Sequence, residues 1–275
     1  MTSAAAPAGS AAAVFDALAG GYDAGFTATS LGRLCREAVW RRLDARFAAG
    51  ARVLELGCGT GEDAVHLARR GVSVLATDGA PAMVGAARRK ALEHGVDGLV
   101  SFGALTLESF AAGPSAETAL LDEHGPFDGA FSNFGALNCV AELAPVAAAL
   151  AARLRPGAPA VLTLMGPVCP WEWLWYLAHG EPGRAFRRLR PGGSPWRGFT
   201  VHYPGIGAAR RAFAPWFRPL RVSAVAALVP PPYAEAWARR HGAALARLDR
   251  WERRWEARFP LPWLADHYVL ELERR

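Results

Sequence analysis

Short apolar runs alternate along this chain with stretches rich in Ala and Arg. The runs at about 51–57, 72–78, 99–104, 127–133 and 158–165 contain few polar positions, the pattern of strands buried on both faces of a sheet. The stretches between them predict helices, and Glu142 to Leu154 ends in Arg-Pro-Gly, a helix stop. Residues 13–49 read as mostly helical, broken at Gly20-Gly21, with a helix from Leu31 to Phe47. After Gly166 the alternation fails until further strands near 218–229 and 266–273, with a helix between them. On that helix Tyr233, Trp237, His241, Ala244, Leu248, Trp251 and Trp255 recur at helical spacing, which predicts a core-facing stripe. The succession predicts a doubly wound, seven-stranded, mostly parallel sheet. No internal repeat interrupts it.

Candidate chemistry begins where the first strand ends. Val53-Leu-Glu-Leu-Gly-Cys-Gly-Thr-Gly-Glu-Asp runs from strand into turn into helix, with glycine at 57, 59 and 61. Glycines there let the backbone approach a ligand, because no Cβ stands in the way. The next strand, Val74-Leu-Ala-Thr-Asp78, ends on a carboxylate placed to accept hydrogen bonds from ribose hydroxyls. A dinucleotide fingerprint needs a third glycine where Glu62 stands, and Glu62 with Asp63 would repel a pyrophosphate in the first helical turn. An adenosine ligand without phosphate fits better.

These residues resemble the first motif of the class I S-adenosylmethionine-dependent methyltransferases, an acid followed by glycines at alternate positions, here Glu55, Gly57, Gly59 and Gly61. The resemblance is to the small-molecule type and is similar to the quinone-biosynthesis members. It implies S-adenosyl-L-methionine as cofactor, and cofactor and acceptor together at the carboxyl edge of the sheet. The three glycines would line the methionine moiety with Cys58 between them, Glu55 would support the turn, and Asp78, followed by Gly79 and Met83, would hold the ribose. Where the family often has an Asp for the adenine, this chain reads Ala104-Leu-Thr-Leu-Glu, so Thr106 and Leu107 are the match. Phe127 to Asn138 matches the fourth strand and its loop, which implies that Asn133 and Phe134 face the cofactor and Asn138 the acceptor. It is not the Asn-Pro-Pro-Tyr of many amino-methylating nucleic-acid and protein enzymes. Tyr22, in Gly-Gly-Tyr-Asp, resembles a Tyr that closes over the cofactor.

Composition changes little. The 275 residues suit one domain, expected to comprise a disordered tail at 1–12 and a methyltransferase domain at 13–275, with 13–49 as a helical cap. The net charge of +6 suggests nucleic acid, but Lys90 is the only lysine and Ile206 the only isoleucine, a bias expected of a GC-rich coding sequence. Cys35, Cys58, Cys139 and Cys169 show no metal spacing, so reduced thiols and a cytoplasmic setting are expected, with no metal. Residues 157–180 carry one charge, Glu172, yet Pro159, Pro167 and Pro170 would break a membrane helix there. The expected partner is a small-molecule acceptor, with neither nucleic acid nor membrane, for a monomer or homodimer.

The segment 167–204 follows the fifth strand and overhangs the ligand edge, so it is expected to be a lid or substrate insertion. It holds Trp171, Trp173, Trp175 and Trp196 and a basic run ending at Arg190. With Pro170 at a helix start, Trp171 and Trp175 share a face and are expected to wall the acceptor, with Glu172, Tyr176 and His179 on an adjoining stripe. His202 and Tyr203 are the candidate acid/base pair, and His179 ranks second. Two other functions remain open on sequence: a cofactor-binding regulatory module without transfer, and a methyltransferase acting on RNA or protein.

Overall fold

The computed structural model describes residues 10–275. Seven strands form one sheet: β1 (Arg52–Leu56), β2 (Ser73–Asp78), β3 (Val100–Ala104), β4 (Gly129–Ser132), β5 (Pro159–Met165), β8 (Phe217–Val225) and β9 (His267–Arg274). Between β5 and β8 the chain adds a two-stranded hairpin, β6 (Ser194–Trp196) and β7 (Phe199–Val201). The sheet order is β3-β2-β1-β4-β5-β9-β8, with β1 to β5 parallel and β9 antiparallel to both neighbours. This is the expected doubly wound arrangement.

The alternation of side chains explains why the strands are apolar throughout. Leu54, Leu56, Ala130, Leu162 and Leu270 enter one core layer with Val146, Leu150 and Phe213 of the covering helices. Val53, Val74, Phe131, Val161 and Val269 point the other way, against Val39 and Leu43 of the Ser30–Arg46 helix. The central strands β1, β2, β4 and β5 therefore bury both faces, whereas the edge strands β3 and β8 are partly exposed. The connections leave β1 towards β2 and β3, then return to β4 and β5. The crevice lies at that reversal, outside the carboxyl ends of β1 and β4, where open α/β sheets bind ligands.

Three expectations need correction. Residues 1–9, most of the expected tail, lie outside the described residues, but Ser10 already caps a helix spanning Ala11–Leu18 through its hydroxyl and the Ala13 N–H. The strand expected to reach 229 stops at Val225. There Ala226 turns left-handed (φ 58°), and the backbone N–H groups of residues 226–229 donate to the buried Glu252 carboxylate rather than to a ladder. The stripe from Tyr233 to Trp255 is not one core face. The helix breaks at His241 into Glu235–Arg240 and Gly242–Trp255, Leu245 and Glu252 face inward, and Trp251 and Trp255 are exposed. All four cysteines are free thiols, and no helix among the described residues is long and apolar enough to cross a membrane.

Candidate cofactor and acceptor site

The turn after β1 is held by its own backbone. The N–H groups of Gly57 and Cys58 both donate to the Thr77 carbonyl, and Gly61 donates to that of Cys58. All three glycines have positive φ, at 77°, 52° and 79°. Their missing side chains serve different ends. A Cβ on Gly57 would lie 2.2 Å from that of Ala136, and one on Gly61 2.7 Å from that of Ala87, so both allow close packing. A Cβ on Gly59 meets nothing within 4 Å and would project into open space. Asp78 spans the turn, its Oδ2 accepting from the Gly59 N–H at 2.8 Å and its Oδ1 from the Ala80 N–H at 2.9 Å. An ionised carboxylate has about four acceptor positions, so two remain free towards the crevice.

The crevice is lined by ten of the thirteen residues expected around the cofactor. Tyr22, Gly57, Asn133 and Phe134 stand at one end, Gly59, Asp78 and Gly79 at the centre, and Met83, Thr106 and Leu107 at the other. Gly61 is excluded by its packing on Ala87, and the Cys58 side chain turns away to its neighbour's carbonyl. Glu55 lies beneath the turn, fully buried, with Oε2 unpartnered. Burial pushes its carboxyl well up, Asp63 adds to this, and Arg36 opposes it. Phe134 adopts φ 51°, a strained region for an aromatic residue, which presents its ring to the crevice.

A hub that the sequence did not reveal fixes the Asn133 end. Asp63 accepts from Arg36 (2.8 Å), Trp40 Nε1 (2.7 Å) and Asn133 Nδ2 (3.0 Å), and Thr163 donates to Asn133 Oδ1. Asp63 thus orients Asn133 rather than merely adding charge to a helix start. The Arg36 guanidinium lies 5.3 and 5.1 Å from the Phe26 and Phe134 ring centres. Burial raises the Tyr22 phenol's pKa, and the Arg36 charge partly opposes this. Lys90 closes the cap over the turn by pairing with Asp23 and Glu62, both at 2.8 Å.

A second chamber shares Phe15, Phe134 and Cys139 with the crevice and extends outward past Gly135 and Met165 to Arg187 and Tyr203. Trp196 and Phe199, on either side of the β6–β7 turn, line it together with Phe15. The Phe15 ring centre is 5.8 Å from that of Trp196 and 6.1 Å from that of Phe199. Arg197 and Gly198 both have positive φ, the geometry of a tight two-residue hairpin turn. Phe15 was missed inside an Ala-rich stretch. Its signal was being the one aromatic residue there.

Several expected acceptor residues fall elsewhere. The Pro170–Ala178 helix forms as expected, with Pro170 in its first turn and Glu172 and Tyr176 buried. Trp175, however, packs 5.2 Å from Tyr233 beside the Leu31–Val229 core, and Trp171 lines neither chamber. His179 is exposed, stacked on Trp175 and bonded to its carbonyl. Asn138 is buried, its amide bonded to the main chain of Met165 and His202, so it fastens two segments rather than facing an acceptor. The candidate pair separates. Tyr203 lines this second, outer chamber, whereas His202 lies in a separate, more open groove with Glu108 and Glu142. The Cys169–Glu172–Asp266 cluster, spaced closely enough for a metal, holds the Arg188 guanidinium instead.

Residues 53–157 match the family described as methyltransferase domain. That stretch, from β1 to the approach to β5, is thus similar to methyltransferase domains. Among curated relatives it is 35% identical over 117 residues to the ubiquinone biosynthesis O-methyltransferase of Xanthomonas axonopodis, covering 42% of this chain and 44% of that one. It is 32% identical over 171 residues to the demethylmenaquinone methyltransferase of Beutenbergia cavernae, covering 60% and 62%. A stretch of 66 residues is 41% identical to the 23S rRNA (uracil(1939)-C(5))-methyltransferase of Shewanella amazonensis, covering 24% of this chain and 15% of that one. The chain therefore spans less than two thirds of the length of each of these relatives. Geranyl diphosphate C-methyltransferase from Streptomyces coelicolor has the same fold, at TM-score 0.56 and 16% identity, covering 88% of this chain and 80% of that one. The matched stretch thus supplies the crevice, and the segments outside it supply Phe15, Tyr22 and the aromatic chamber.

Proposed function

We propose that this protein transfers the methyl group of S-adenosyl-L-methionine to a small apolar or aromatic metabolite. The observation that carries the reading is the continuity of two spaces. A crevice with an open glycine turn and a half-buried carboxylate leads past Phe134 into a chamber walled by Phe15, Trp196 and Phe199. The relatives named above are a ubiquinone biosynthesis O-methyltransferase, a demethylmenaquinone methyltransferase and a 23S rRNA methyltransferase, and the aromatic-lined chamber favours the small molecule.

The residues present fit the cofactor. Asp78 keeps two acceptor positions for ribose hydroxyls, the Gly59 face is open to a backbone-hugging ligand, and Met83 with Leu107 offers apolar contact to an adenine. Tyr22, Asn133 and the Arg36 charge surround the methionine end. When bound, the cofactor supplies an activated methyl on a sulfonium that leaves as a neutral thioether. The protein's task is alignment and exclusion of water, and alignment alone is worth up to about 7–11 kcal/mol in the best intramolecular cases. Phe15, Phe134 and Trp196 exclude water, while Tyr203 offers a hydroxyl to the acceptor. Burial raises its pKa, so it acts as a neutral donor near neutral pH.

Calorimetry should show binding of S-adenosylhomocysteine and none of NAD. Incubation with methyl-labelled cofactor and separate small-molecule, RNA and protein fractions of a bacterial extract should place label in the small-molecule fraction. Label confined to RNA or protein would overturn the acceptor class, and absence of cofactor binding would overturn the whole reading.

A further inference from the structure

The outer chamber is apolar on the side it shares with the crevice and polar at the far side. Phe15, Phe134 and Cys139 belong to both spaces, whereas Arg187 and Tyr203 line only the chamber. Arg187 opens the second of the two short helical turns, Pro182–Ala185 and Arg187–Leu189, that follow the Pro170–Ala178 helix. Its neighbour Arg188 is fully engaged: it bonds Glu172 Oε2 at 2.8 Å, the Asp266 carboxylate, and the carbonyls of Gly166 and Asp266. Arg187 is placed differently. Its Nε forms an ion pair with Glu172 Oε1 at 2.8 Å without the alignment of a hydrogen bond, and its guanidinium lies 5.5 Å from the Tyr176 ring centre with its terminal nitrogens making no hydrogen bond among the described residues. Its side chain keeps 27% of its surface exposed.

Two arginines and two carboxylates, Arg187 and Arg188 with Glu172 and Asp266, make up the cluster behind this wall. Arg188 lies 5.3 Å from the Tyr203 ring centre. At the Tyr203 phenol, after burial, Arg188 and Arg187 exert the larger charge effects, and Glu172 and Asp266 the smaller. A partly exposed guanidinium, paired with Glu172 through its Nε side only, and the Tyr203 hydroxyl thus line one aromatic slot. Guanidinium pairs with carboxylate in a planar, two-pronged manner, and donors to an ionised acceptor make stronger bonds than neutral pairs.

We infer that the acceptor is a planar aromatic acid, its ring held among Phe15, Trp196 and Phe199 and its carboxylate bound by Arg187 and Tyr203, away from the cofactor. This rests on the chamber being the acceptor site of the proposed methyltransferase. The carboxylate anchors and orients, so the atom to be methylated lies at the opposite end of the ring, towards Phe134 and Cys139.

Matched probes test this on the full chain loaded with S-adenosylhomocysteine: 2-naphthoate against 2-naphthamide, and cinnamate against cinnamamide, with affinities from ligand-observed NMR titration. Each acid should bind at least tenfold more tightly than its amide. Arg187→Gln should abolish the preference, Arg187→Lys should retain part of it, and Tyr203→Phe should reduce it severalfold. In each variant the S-adenosylhomocysteine affinity should stay within twofold of the unaltered protein, which also shows that the variant is folded. Equal binding of acid and amide, a preference that survives Arg187→Gln, or no probe binding by a protein that holds S-adenosylhomocysteine would each overturn the inference. Should Arg187→Gln fail to fold, Tyr203→Phe and the acid–amide comparison on the unaltered chain decide the matter. Loss of S-adenosylhomocysteine binding by the unaltered chain would instead count against the proposed function.

Discussion

Replacing Asp78 by Ala should weaken cofactor binding much more than it weakens the fold. The carboxylate accepts two backbone N–H bonds, from Gly59 and Ala80, and keeps about two acceptor positions for a ribose. Hydrogen bonds to a charged group contribute about 1.5–3 kcal/mol. Losing the ribose contacts should therefore reduce affinity by about 10- to 150-fold, at 1.4 kcal/mol per factor of ten. The Gly59 N–H borders the open crevice and can turn to water whereas the Ala80 N–H is buried, so the stability loss should come to about 2 kcal/mol, below the full cost of two buried donors. Asp78→Asn keeps one acceptor oxygen and turns an amide N–H₂ against a backbone donor, so it should fall between the two. Burial raises this carboxyl, against the opposing hydrogen bonds from Ala80 and Gly59. The unliganded fold therefore gains at this position from protonation, a contribution lost as pH rises through the raised value. Ribose recognition needs the ionised form, so affinity should begin to fall on acidification above the ordinary carboxylate range, and this should vanish in Asp78→Asn. Calorimetric titration with S-adenosylhomocysteine across pH, paired with thermal melting, reads both effects. A folded Asp78→Ala protein that binds within threefold of the unaltered chain would refute the reasoning.

Gly59→Val should abolish S-adenosylhomocysteine binding in calorimetry, because its branches would project into the open crevice, and cost some stability through its φ of 52°, whereas Gly61→Val should lower the melting temperature further, because Ala87 also stands in the way. Trp175→Ala should cost about 2–3 kcal/mol in denaturant unfolding, the lower part of the range for large aromatic truncations since the ring is only partly buried. Trp196→Ala should leave stability nearly unchanged and, in a transfer assay, impair use of the acceptor rather than cofactor affinity. At Asp266 burial works to raise the carboxyl, but Arg188 and then His267 outweigh it and hold it far below the usual range. Its stabilising contribution is complete above about pH 4 and is lost as pH falls through the depressed folded value, so acid unfolding curves should flatten in Asp266→Asn.

The parts of the molecule legible in the sequence are those where one physical cause dominates. Strands β1 to β5 fall within one or two residues of expectation because a central parallel strand must be apolar on both faces. Asp78 and Gly59 were legible because few residue types satisfy an edge carboxylate or a positive-φ turn open to a ligand. The failures concern contacts between distant segments. Trp171 and Trp175 do share a helical face, but spacing cannot say that Tyr233, some sixty residues later, covers it. The break at His241 shifts the helical phase between Trp237 and Trp251, so one continuous spacing spans two helices with different buried sides. Asp63 looked like ordinary first-turn charge because its three partners, Arg36, Trp40 and Asn133, lie before and after it in sequence. Phe15 gained its role only when the hairpin carrying Trp196 arrived from the far end of the chain.

Asn138 gives the insertion an unusual independence. Its Oδ1 and Nδ2 fasten it to Met165, where the insertion departs, and its Nδ2 and carbonyl fasten it to His202, where the insertion returns. A loop whose entrance and exit are clipped to one side chain can change in length and composition without moving the strands on either side. In the proposed enzyme acceptor choice can therefore diversify as a cassette through residues 191–201, while Arg188 keeps its contacts to Glu172 and Asp266, Trp175 keeps its contact to Tyr233, and the crevice stays constant. Grafting that cassette between related chains, with the asparagine kept, is the natural unit for re-engineering what this scaffold modifies.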